Sequence, residues 1–169
     1  DLPDVGETIP RIDPQTIAAE PQVVEFNNFR SIVIDSAVMH IRFFNSLFMD
    51  IESGMKIIAV DELTQTVIDT FLFTEPVPSG QFAQSEPVKL IGKMISNRME
   101  LRSRIPIAGT SGPVTISQEI LDGYYYLKVY MSDVKVSEAE AKIPEQTFTE
   151  SDSIEVDANG NRLKYAIMD

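Results

Sequence analysis

From Gln22 onward, short runs of apolar, β-branched and aromatic residues alternate with polar or Gly/Pro turns. This punctuation predicts strands over 22–26, 31–34, 37–44, 47–51, 55–60, 66–73, 88–91, 98–107, 114–118, 124–131, 134–143 and 162–167. Turn chemistry falls between them at Asn27-Asn28, Glu52-Ser53-Gly54, Pro76 to Gly80, Gly109 to Pro113, Asp122-Gly123 and Asp157 to Gly160. The clearest strand is 98–107, with Met99, Leu101, Ile105 and Ile107 on one face and Arg98, Glu100, Arg102 and Arg104 on the other. Residues 124–131 are apolar or aromatic at both parities, which predicts a strand covered on both sides. Many short strands without helical spacers predict an all-β protein, a β-sandwich of immunoglobulin-like or related type.

One segment fits two templates. Asp35 to Ser53 could form a helix, with Asp35 as cap, Gly54 as terminator and Ala37, Ile41, Phe44, Phe48 and Ile51 on one stripe. Its richness in Ile, Val and Phe favours two strands broken near Asn45-Ser46. Ahead of it, Pro3, Pro10, Pro14 and Pro21 block a helix and any central strand. The expected organisation is an extended N-terminal arm or linker over 1–21, a β-sandwich domain over 22–145 and a C-terminal hairpin or acidic extension over 146–169.

Composition narrows the function. Lys+Arg 14 against Asp+Glu 26 gives a net charge of -12, which argues against nucleic acid or an anionic membrane as main partner. The acidity sits at the ends: residues 1–25 hold six acids and one base, and 133–169 hold nine acids and four bases. With Cys 0 there is no disulfide and no thiolate chemistry, and His 1 leaves no His pair for a metal. No run approaches the roughly 18 apolar residues of a membrane span. The chain starts at Asp1, so a processed form or an excised fragment is expected.

Residues 31–107 carry a further pattern. SIVID, VMHIRFFNSLFMDI, MKIIAVDELTQTVIDTFLF, PVPSGQ and VKLIGKMISNRMEL follow in order, with Asn45 ending a strand, Leu47 after it and the turn Pro78-Ser79-Gly80 before the next strand. This resembles the late-embryogenesis-abundant-like (LEA-like) and immunoglobulin-like β-sandwich modules of bacterial secreted and surface proteins. It departs from them at Phe48-Met49, where such modules often carry Pro. The resemblance implies a non-enzymatic sandwich, often one module of a longer chain.

The chemistry-bearing residues point the same way. His40, in VMHIRF, has no local nucleophile or orienting acid and reads as an ordinary strand histidine. Asp152, Glu155, Asp157, Asn159 and Asn161 could supply oxygen ligands to calcium, but the spacing is not that of an EF-hand. A hairpin turn through Asn159-Gly160 explains Asp157 to Asn161 without a metal. Tyr124, Tyr125, Tyr126 and Tyr130, with Lys128 among them, could stack sugars or bases, yet strand tyrosines more often pack in a core or at a sheet edge. Arg98, Arg102 and Arg104 form a basic stripe, read as either a solvated face or a docking site for an acidic partner, including the acidic end of a neighbouring copy.

The expectation is thus a non-enzymatic structural or interaction module with no cofactor. It would bind protein chains, copies of itself among them, in an exported bacterial surface assembly or a virion. The expected location is extracellular or at the cell surface. The alternative is an apolar-ligand (lipid) carrier with a hydrophobic cavity between sheets.

Overall fold

A computed structural model describes residues 3–27, 29–140 and 156–157. It is all-β, with antiparallel sheets, none closed, and one short helix. The strands are β1 (Thr8–Ile9), β2 (Gln15–Ala18), β3 (Gln22–Glu25), β4 (Ser31–Asn45), β5 (Met55–Asp61) and β6 (Val67–Phe73). After them come β7 (Phe82–Gln84), β8 (Val88–Ser96), β9 (Arg98–Ile107), β10 (Val114–Thr115), helix α1 (Gln118–Leu121), β11 (Tyr125–Glu140) and β12 (Val156–Asp157).

Two larger sheets share the core. In the first, β9 pairs with β2 and β3 on one side and β5 on the other, and β6 closes the row beyond β5. In the second, β4 is central: β11 lies on one flank with β12 beyond it, and β7 and β8 share the other flank end to end. A third pairing joins β1 to β10. The chain shuttles between the sheets, and at β8–β9 it changes sheet through the single residue Asn97.

The alternation read in 98–107 is the alternation found: Met99, Leu101, Ile105 and Ile107 are buried, and Arg98, Arg102 and Arg104 are exposed. Ile34, Met39, Ile41 and Phe43 of β4 and Leu127, Val129 and Met131 of β11 enter the same core as Ile57, Phe71 and Leu101 of the first sheet. Phe43 meets Phe73 edge-on at 6.2 Å and stacks with Tyr125 at 5.3 Å, which ties β4, β6 and β11 at one level. Burial raises the Tyr125 phenol pKa, and nearby Gln22 and Ser103 partly oppose it. Among the described residues, those two buried side chains themselves lack a hydrogen-bond partner of good geometry.

Several expected boundaries move. The two strands expected at 31–34 and 37–44 are one continuous strand, β4, and those expected at 124–131 and 134–143 merge into β11 as far as Glu140, with 141–143 outside the described residues. The merger is achieved by an irregularity in the β4–β11 register between Ser132 and Glu138, beside Asp133 at φ 53. The expected strand 47–51 is absent except for bridges from Ile51 to Val77 and Ile107. Asn45 is the reason. Its buried side chain donates to the Met49 carbonyl at 3.0 Å and the Val77 carbonyl at 2.9 Å, and accepts from Leu47 N–H at 3.0 Å, which coils 46–49 around it. The expected strand 114–118 gives way after Thr115 to α1, whose cap Ser117 accepts from Ile120 N–H. The proline-rich start is extended, as its prolines require, but it is paired: β1 and β2 lie in it, and Ile12 and Ile17 are buried. The expected strand 162–167 lies outside the described residues.

Candidate functional site

The outward side of the second sheet is the most distinctive surface of the molecule. In β4 from Ala37 to Asn45 and in β11 from Tyr125 to Met131, odd positions are buried. Period-2 geometry therefore sends the even positions outward. Register stacks these residues into rows: Phe82–Phe44–Tyr126, then Gln84–Arg42–Lys128, then His40–Tyr130. Lys89 stands beside Val38, Ile91 beside Ser36 and Met94 beside Val33 further along β8.

The rings form a connected array. Phe44 lies 4.6 Å from Phe82 and 5.1 Å from Tyr126 between ring centres, and Tyr124 lies 6.3 Å from Tyr126. His40 and Tyr130 stack at 5.0 Å, only 9° from parallel. The Arg42 guanidinium sits 4.6 Å above the Phe82 ring, and the Lys128 ammonium sits 5.9 Å from Tyr126. Phe82 is 48% exposed, Tyr124 38%, Ile91 69% and Met94 59%, so this one face collects four of the large exposed hydrophobic residues. Scattered exposed hydrophobics need no explanation, but the packed rings of Phe82, Phe44, Tyr126 and Tyr124 do.

The face is also cationic. Arg42, Lys89 and Lys128 project from it, and the outward positions of β4, β7, β8 and β11 between Phe44 and Val38 carry no carboxylate. Asp157 of β12 stands opposite Lys128 in register. Neither Arg42 nor Lys89 has an ion-pair partner among the described residues. Burial lowers the His40 pKa, which favours the neutral imidazole among these cations.

The four tyrosines thus divide by parity. Tyr125 is core, whereas Tyr124, Tyr126 and Tyr130 belong to the outward array, so among the described residues 124–131 is fully buried on one side only. Sequence reading singled out those tyrosines and His40 but missed Phe44, Phe82 and Arg42. The signal for Phe44 and Arg42 was there, since they share parity with His40 against a buried odd face.

The arginine stripe lies elsewhere, on the outward side of the first sheet. Arg98 pairs with Glu62 at 2.5 Å, and Arg102 pairs with Glu100 at 2.6 Å and reaches Gln65 at 3.1 Å. Arg104 has no such partner among the described residues and faces Lys56 in register. The stripe is therefore two satisfied cations and one open one. Asp152, Glu155 and the turn from Asp157 to Asn161 fall outside the described residues, apart from the backbone of Asp157. Among the described residues, no three His, Asp or Glu side chains converge on a point that could hold a metal ion, and no helix is long and apolar enough to cross a membrane. Comparison with family models, curated proteins and solved structures finds no match.

Proposed function

We propose that the chain is a non-enzymatic structural or interaction module that binds another protein chain through the outward face of the second sheet. The observation that carries this is the ring array with its flanking hydrophobics: Phe82, Phe44, Tyr126 and Tyr124 at one end, Ile91 and Met94 at the other, and Arg42 between. Aromatic residues and Arg enriched where carboxylates are depleted, as between Phe44 and Val38, is the composition of a protein–protein interface core. Ring-to-ring packing of Phe43 with Phe73 and Tyr125 fills the space between the sheets at that level, which favours this reading over an apolar-ligand carrier.

The same reading takes the fold as an immunoglobulin-like or related sandwich, its two sheets facing across one core. The Asn45 clamp after β4 and the Pro78-Ser79-Gly80 turn support the likeness to LEA-like modules of secreted or surface proteins. Its setting would be an exported surface assembly, with a virion as the other candidate.

Cross-linking through Lys89 in the producing cell, read by mass spectrometry, tests the reading. Links from Lys89 to another polypeptide are expected, and Phe82→Ser or Met94→Ser should reduce them. A Lys89 that links only within its own chain overturns it.

A further inference from the structure

We infer that this face receives the acidic N-terminal region of a second copy of the chain. The inference rests on the protein-binding reading above and names the partner.

Charge supplies the first argument. Among the described residues, Arg42 and Lys89 lie on the face without carboxylate partners, in a chain whose net charge is -12. A matching surface must bring acid, and this chain carries it in a concentrated form. Residues 1–25 hold Asp1, Asp4, Glu7, Asp13, Glu20 and Glu25 against Arg11 alone. Arg11 is taken by Asp13, and Asp4, Glu7, Glu20 and Glu25 are exposed with no ion-paired cation among the described residues.

Topology supplies the second. β1 is tied to β10 and β2 to β9, and among the described residues no ion pair joins Asp4, Glu7, Glu20 or Glu25 to Arg42 or Lys89 within one molecule. The inferred contact joins two molecules. Donor and acceptor surfaces are different patches, which makes the contact heterologous and generates a ring or an open filament. Arg104 and Lys56 offer charge too, but without the aromatic anchors on which interface energy concentrates.

Charge exchange tests this on the full chain by sedimentation velocity over a concentration series. Wild type is expected to gain mass with concentration. Arg42→Glu/Lys89→Glu, and separately Asp4→Lys/Glu7→Lys, should each weaken self-association about tenfold or more. An equimolar mixture of the two variants should recover it, because the reversed face of one then meets the reversed end of the other. A monomeric wild type overturns the inference, as does a mixture that stays monomeric or a single variant that assembles like wild type. Poly-L-glutamate separates the two failures. If the wild type is monomeric yet binds poly-L-glutamate in a manner lost in Arg42→Glu/Lys89→Glu, the second-copy inference is wrong while the face remains a docking surface. If it does neither, both readings fall.

Discussion

Gly109 lies directly against Ile12. At φ +73 it leaves open the space in which a β-carbon would overlap the Ile12 carbonyl oxygen. The neighbouring Thr110 completes the clasp: its N–H donates to that oxygen at 2.8 Å, and its Oγ1 accepts from Ile12 N–H at 3.0 Å. The Gly109 to Pro113 turn is therefore the fastener of the N-terminal segment.

Gly109→Ala should cost about 2 kcal/mol or more, since steric overlap adds to the strain of a left-handed backbone. Gly54 gives the control. It has φ +89 but open space around it, so Gly54→Ala should cost only about 1 kcal/mol. Urea unfolding compares the two, and amide exchange across β1 and β2 should quicken in Gly109→Ala alone. Equal costs with unchanged exchange would show that the clasp does not hold the segment.

Asn45 should be among the least replaceable polar residues. It is fully buried and serves two carbonyls and one N–H. Asn45→Ala orphans all three groups and should cost roughly 3 kcal/mol or more. Asn45→Asp should be no better near neutral pH, because it turns a donor into an acceptor facing the Met49 and Val77 carbonyls. Thermal or denaturant unfolding of both variants checks this, and an aspartate variant as stable as wild type would refute the donor role.

Adjacent Phe43 and Phe44 should behave oppositely. Phe43 is wholly buried, and Phe43→Ala should lose roughly 3–5 kcal/mol. Phe44 is outward and half-buried in the ring array, so Phe44→Ala should cost clearly less stability while reducing the Lys89 cross-links to a partner. A large stability loss from Phe44→Ala would make the array structural support instead.

What the sequence disclosed follows from this parity. Where one face is buried and the other wet, as in 98–107, alternation gave the strand to its ends. Where both parities are largely apolar or aromatic, as in 124–131, pattern reveals a strand but not which side is inside. That is settled by register to a distant strand, so the outward array was only partly visible. The segment 47–51 failed for a different reason, since a side chain four residues before Met49 claims its carbonyl and overrides local β propensity. The pairing of β2 with β9 was hidden because prolines forbid a central strand but allow an edge strand. Satisfied and open arginines in the 98–104 stripe look identical in sequence, since Glu62 and Gln65 arrive from the β5–β6 turn.

Asp61 joins that turn to the β8–β9 junction. Its buried carboxylate accepts from Thr64 N–H at 2.8 Å, Thr64 Oγ1 at 3.0 Å and Ser96 N–H at 2.5 Å. Burial alone would raise its pKa, but the hydrogen bonds from Ser96 and Thr64 outweigh it and hold the carboxyl below its ordinary value near 3.8. A lowered folded-state pKa stabilises above the unfolded value, and that contribution fades as pH falls through the folded one. Unfolding free energy should therefore fall between about pH 5 and pH 2 in wild type and less steeply in Asp61→Asn. Identical slopes would remove Asp61 from the acid transition.

His40 allows a direct reading, because it is the sole histidine of the chain. It stacks on Tyr130, follows Val38 and precedes Arg42 on the same outward face, and has Lys128 and Lys89 on the flanking strands. Desolvation lowers its pKa from 6.5, so folding favours the neutral ring. The sign follows: its contribution to stability is present above about pH 6.5 and is lost as pH falls through the lowered folded-state value. The single imidazole resonance in a proton NMR titration of the unassembled monomer should have its midpoint below 6.5. Tyr130→Ala, which uncovers the ring, should move the midpoint back toward that value. A wild-type midpoint at or above it would mean that an anionic group reaches this face and outweighs the burial.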